Sequence, residues 1–211
     1  PNAYTTPSMT GDFFEGVQGF EDNLRTLLGF VSQPWFTRSS VEKERGIIGQ
    51  EIRMCEDDPG HEVYYQLMEC MYASHPVRIR VAGTVESIEE ITADTLYQCH
   101  RAFYRPGNMV LCVAGNVDPQ RVADIAQEVL EKEPSTATVS DLGGAEPPET
   151  ARKYAERAMP VSIPLFEIGF KGDPAPRGEG LRQRLLAELV CDVLFSSSAP
   201  LYSRLYEEGL I

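Results

Sequence analysis

The chain has 211 residues, 42% of them hydrophobic and 24% charged, an ordinary composition with room for one sizeable core and the start of another. Its 19 Lys and Arg against 32 Asp and Glu give a net charge of −13, which argues against nucleic acid as a partner, because such proteins present a basic face. No apolar run approaches the length that crosses a bilayer, and no basic-then-apolar leader opens the sequence, so no membrane is expected and the expected location is cytoplasmic. The acidity has two readings: it keeps the protein soluble, or it favours cationic peptides.

The first stretch, Pro1 to Gly16, is rich in Thr, Ser, Phe and Tyr and reads as extended, with a turn at Thr10-Gly11-Asp12. From Gly19 to Ser32, Phe20, Leu24, Leu27, Leu28 and Val31 recur at helical steps. Val41 to Cys55 reads as a second helix capped by Ser39 or Ser40, stopped by a turn at Asp57-Asp58-Pro59-Gly60. His61 to Ala73 reads as a third. Ser87 to Glu90 has the spacing of a capping box, and Thr92 caps a helix through Phe103. Arg105 to Asn108 is a turn, and the apolar run Met109 to Ala114 reads as a central strand. Asp118-Pro119 opens another helix, with Asp as cap and Pro in the first turn.

Glu133 to Pro148 is rich in Pro, Gly, Ser and Thr and reads as a linker. A strand is expected at Val161 to Phe170, a helix at Gly180 to Phe195, and a last helix near Pro200 to Glu208 with Gly209 after it. The five cysteines, Cys55, Cys70, Cys99, Cys112 and Cys191, form no C-x-x-C pair and read as small buried hydrophobes in a reducing compartment. The sequence begins without Met and ends on the apolar pair Leu210-Ile211, so both ends are expected to be cuts in a longer protein. The fold class expected is α+β: residues 1–140 most of a first domain, 141–160 a linker, and 161–211 the beginning of a second.

Glu44 and Glu51 are seven positions apart in the second helix. Seven steps return to within about 20° of the start, so both carboxylates share a face. Such residues are usually solvated. Beside Ile47, Ile48 and Ile52, however, this side is expected to approach a core, where a carboxylate needs a partner such as a metal.

The segment from Val41 to Ile52 (VEKERGIIGQEI) resembles the part of pitrilysin/insulinase zinc metallopeptidases that supplies their last zinc ligand. Asn2-Ala3-Tyr4-Thr5 resembles that family's edge strand. Gly83 to Ile88 with Phe103 to Met109 resembles the end of its first domain. Phe166 to Phe170 with Leu201 to Leu210 resembles the start of its second.

The resemblance implies a bacterial, cytoplasmic zinc endopeptidase built from two related halves around a chamber. This chain would supply most of a half-chamber domain, a mixed sheet flanked by helices, and the start of a second similar domain. By position, Glu51 would be the zinc ligand and Glu44 the second acid beside it. The backbone of Asn2, Ala3 and Tyr4 would bind a peptide substrate by adding it to the strand edge.

The family's H-x-x-E-H zinc motif is absent here. The three histidines, His61, His75 and His100, do not have that spacing. The motif would lie upstream of Pro1, or the protein would be a non-catalytic peptide-binding or scaffold relative. A role in peptide maturation or export is a further alternative, and a second family member is a possible partner in a homo- or heterodimer. A local zinc site from Glu51, Cys55 and His61 is not expected, and the chain alone is expected to bind zinc weakly and to hydrolyse nothing.

Overall fold

A computed structural model describes residues 2–130 and 145–211. Most of the stretch from Glu133 to Pro148 expected as linker lies outside the described residues, as does Pro1. Contacts divide the chain into two compact units, Pro1–Phe170 and Lys171–Ile211.

The first unit opens with a hairpin. β1 (Asn2–Thr5) pairs antiparallel with β2 (Thr10–Phe13), Tyr4 standing opposite Gly11 and Ala3 opposite Asp12. The turn falls at Thr6–Met9, earlier than expected. The Thr6 hydroxyl accepts from the Ser8 and Met9 N–H groups, and Pro7 fits the second position of such a turn.

α1 (Phe20–Ser32) follows, and α6 (Pro119–Val129) packs against it. Their core is Leu24, Leu28 and Ile125, flanked by Phe14, Phe20, Val122 and Val129. At its edge Arg121 clamps Glu21 through Nε (2.9 Å) and Nη2 (2.6 Å), and Arg25 bridges Glu21 (3.2 Å) and Glu128 (3.0 Å).

α2 (Arg38–Glu56) starts before the expected helix. Thr37, rather than Ser39 or Ser40, caps it: its side chain accepts from the Ser40 N–H, and the Ser40 hydroxyl returns the bond to the Thr37 N–H. The same reversal occurs at α4 (Val85–Glu89), where Thr84 is the cap and Ser87 the returning residue. In both cases a threonine three positions upstream takes the role assigned to the serine. α3 (Pro59–Met71) begins inside the expected turn, because Asp58 caps it and Pro59 needs no N–H partner in a first turn. α4 packs on α2 through Ile88 against Gly49, and the Arg45 guanidinium donates to the Glu89 carbonyl (2.6 Å). α5 (Ala93–Phe103) carries the expected Thr92 cap.

The segment after residue 144 runs back along α3. The Glu146 carboxylate accepts from the N–H groups of Ala73, Ser74 and His75 at 2.7–2.8 Å, and Arg152 reaches Glu69 and the Cys70 carbonyl. Gly169 sits so close to α3 that a side chain there would collide with Met71 and crowd Leu67. These ties hold the described residues from 145 to 170 in the first compact unit.

The second unit contains α7 (Gly180–Phe195) and α8 (Pro200–Glu207). Gly209, at φ 69°, closes α8 with the Gly209 N–H on Tyr206 and the Leu210 N–H on Leu205.

Helices dominate, with one two-stranded sheet among the described residues. The α+β class holds in that broad sense, but no mixed sheet is present among the described residues. Met109–Ala114 and Val161–Phe170 are not strands; Val110 is 93% exposed. A strand is defined by its ladder, and no neighbouring strand among the described residues receives theirs. The cysteines also depart from expectation: Cys70 is buried and Cys55 half-buried, but Cys99, Cys112 and Cys191 are exposed.

Finally, Gly180–Glu207 is long and apolar enough to span a bilayer by length and composition, which corrects the expectation that no run reaches that length. The stretch is broken at Ser196–Ala199, and Glu188 and Asp192 interrupt its apolar part, a pattern shared with core helices of soluble proteins.

Candidate functional site

β1 and α2 meet across a cavity of about 480 Å³. Ala3, Tyr4 and Thr5 line it from the strand; Ile48, Glu51, Ile52, Cys55 and Glu56 from α2. His61 and Tyr65 enter from α3, and Arg80 to Gly83 from the loop that follows it.

One edge of β1 pairs with β2, and the other has no strand partner among the described residues. A free edge exposes backbone donors and acceptors to an extended peptide. The edge is not wholly idle, because the Ala3 N–H donates to the side chain of Asn2 (2.9 Å). An arriving peptide has to displace that amide. Tyr4 leans across the hairpin onto Gly11, where a side chain would come within 2.5 Å of its ring. On β2, burial raises the pKa of Asp12, and burial followed by the Asp12 charge raises that of Tyr104.

Among the residues singled out from sequence, the cavity brings together Ala3, Tyr4 and Glu51. Asn2 and Glu44 do not line it. Glu44 and Glu51 share a face of α2, as their spacing requires, but that face does not enter the core. Both are exposed. The buried stripe of α2 is Val41, Gly49 and Ile52, and the two glutamates lie well round the helix from it. Neither carboxylate has a polar partner among the described residues. Glu51 therefore presents an uncommitted carboxylate to the cavity, available to a cation.

Cys55 and His61 line the same cavity as Glu51, yet among the described residues no three His, Cys, Asp or Glu side chains are grouped to hold a metal. His61 is engaged elsewhere: its ring packs on Tyr65 (centroids 4.8 Å apart) and its Nδ1 lies 3.4 Å from Arg80. Glu51 can thus be one ligand of a metal site but does not make one with its neighbours.

Sequence reasoning missed Arg80, Tyr65 and Glu62. Glu62, on α3, is 1% exposed and pairs with Arg80 and Arg157. The only early signal was the alternation Val77, Ile79, Val81 with arginines between, which reads equally well as a solvated edge.

Comparison with known proteins places this geometry in a family context. The family profile described as "Peptidase M16 inactive domain" matches residues 90–211. The chain is 42% identical over 214 residues to the uncharacterized zinc protease YmfH of Bacillus subtilis, a match that covers 100% of this chain and 50% of that protein. It is 37% identical over 92 residues to an uncharacterized zinc protease of Streptomyces coelicolor, covering 44% of this chain and 20% of that one. A crystal structure of an M16-like peptidase from Alicyclobacillus acidocaldarius matches with a TM-score of 0.77 at 33% identity, over 100% of this chain and 50% of that one. The chain thus spans about half the length of the relatives it matches end to end. All five residues singled out from sequence, at positions 2–4, 44 and 51, precede the stretch matched by the inactive-domain profile.

Proposed function

The chain belongs to the peptidase M16 family, and from that premise we propose that it is part of a zinc-dependent endopeptidase that cleaves peptides or small unfolded proteins. One observation carries the reading: β1, whose second edge has no strand partner among the described residues, and Glu51, whose carboxylate has no polar partner among them, line the same cavity. An extended substrate laid along β1 would run past that carboxylate. Its backbone would replace the Asn2 side chain on the Ala3 N–H, giving affinity with little demand on sequence.

Relatives named zinc proteases support zinc as the cofactor. Glu51 would supply one anionic oxygen donor of the kind zinc accepts, and among the described residues no further His, Cys, Asp or Glu group completes a site with it. Bound zinc supplies activated water at neutral pH. Glu44, on the same face of α2, adds negative charge that favours the cation and helps orient the site.

A second reading, a non-catalytic peptide-binding or scaffold subunit, draws support from the inactive-domain description of the profile matching residues 90–211. The two separate on the full-length protein. The peptidase reading expects cleavage of an unstructured, internally quenched peptide, abolished by a chelator and restored by zinc. Peptide binding without zinc-dependent cleavage would select the second.

A further inference from the structure

The cavity contains a guanidinium to which the peptidase reading gives no task. Behind Arg80, which lines the cavity, lies the buried carboxylate of Glu62. Arg80 Nη1 is 2.6 Å from Glu62 Oε1, an ion-pair contact that does not satisfy Oε1 as a hydrogen bond, while Arg157 Nη1 donates to Oε2. A single arginine is enough to neutralise a buried carboxylate. Glu62 is shared with Arg157, so Arg80 is not its sole counter-ion, and Arg80 is the arginine of the two that lines the cavity.

Arg80 is also held in place. Its guanidinium carbon lies 5.1 Å from the centroid of the Tyr65 ring, whose hydroxyl accepts from the Val81 N–H (3.3 Å). Its contacts with Glu62 and His61 both use Nη1, so Nε and Nη2 have no side-chain partner among the described residues. A fixed planar fork with two free N–H positions matches a carboxylate in two-point geometry.

We propose that Arg80 is a specificity-determining residue that receives a carboxylate of the peptide bound along β1, and that Glu62 positions it. The path of the peptide along β1 rests on the peptidase reading above. Glu51 and Glu56 line the same cavity and repel acidic groups elsewhere in it. The preference is therefore confined to one position of the peptide, and the carboxylate belongs either to an acidic side chain there or to the peptide's C-terminus.

The test uses the full-length protein and an unstructured, fluorescently labelled peptide in which one residue at a time is Glu or Gln, with free-acid and amidated C-termini as a second arm. Binding is read by anisotropy and cleavage in parallel. The expected result is a preference of about tenfold for Glu over Gln at one position, or for the free over the amidated terminus, as loss of a charge-assisted hydrogen bond implies. Arg80→Gln brings that ratio to one, Arg80→Lys keeps part of it, and Glu62→Gln lowers it with Arg80 still present. General damage to the fold would weaken both peptides of a pair and leave the ratio unchanged.

A ratio near one in the wild-type protein in both arms overturns the proposal with no variant needed, as does a preference that survives Arg80→Gln or a failure to bind any of the peptides. Cleavage without the preference refutes Arg80 alone. An Arg80-dependent preference in binding without zinc-dependent cleavage refutes the peptidase reading and leaves the carboxylate site standing.

Discussion

Glu51 and Tyr4 come from segments more than forty residues apart in sequence and line one cavity. Their pairing was legible only through resemblance, since helical spacing shows that Glu44 and Glu51 share a face but not what that face meets. The expectation of a core-facing pair failed because Val41, Gly49 and Ile52 already form the buried stripe of α2. Arg80 and Glu62 were illegible for a different reason: their partnership includes Arg157, 95 positions from Glu62, and no local pattern records that. Gly11 shows how tightly Tyr4 is placed. Gly11→Val is expected to push the Tyr4 ring out of its position over the hairpin and to raise KM for peptide several-fold with kcat little changed. Peptide kinetics on the full-length variant check this, and an unchanged KM would mean that Tyr4 does not contact substrate.

At the scale of elements, the helices are legible because their signals are local: α2, α3, α4, α5 and α6 each carry a side-chain cap, and α1, α7 and α8, which lack one, are marked by their apolar runs. The errors were of a few residues, where Thr37 and Thr84 capped in place of the serines that answer them. The strands at Met109–Ala114 and Val161–Phe170 were misread because strand formation depends on a distant partner and not on the apolar run itself. The α1–α6 pair has an electrostatic signature. Hydrogen bonds from Arg121, then from Arg25, lower the Glu21 pKa to about 2 from its ordinary 4.5. Because the folded-state value is the depressed one, the contribution of Glu21 is present above about pH 4.5 and is lost as the pH falls toward 2. Glu21→Gln is therefore expected to lower stability near neutrality and to flatten its acid dependence between those values. Thermal unfolding as a function of pH measures it; identical acid limbs for variant and wild type would show that the arginine clamp contributes nothing in solution.

For the molecule as a whole, α7 exposes Leu185, Leu186, Leu189, Val190, Val193, Leu194 and Phe195. A helix that is apolar around much of its girth belongs in a core, and the chain spans about half the length of its end-to-end relatives. The 211-residue chain alone is accordingly expected to bind an apolar dye strongly and the full-length protein weakly; equal dye binding would place the α7 surface in contact with solvent or another partner in both. The most direct test of the zinc-peptidase assignment is the zinc content of purified full-length protein, wild type beside Glu51→Gln, with peptide cleavage measured on the same samples. The predicted result is about one zinc per wild-type chain, with zinc and cleavage lost together in the variant. A variant that keeps both its zinc and its activity would contradict the assignment of Glu51 as a ligand.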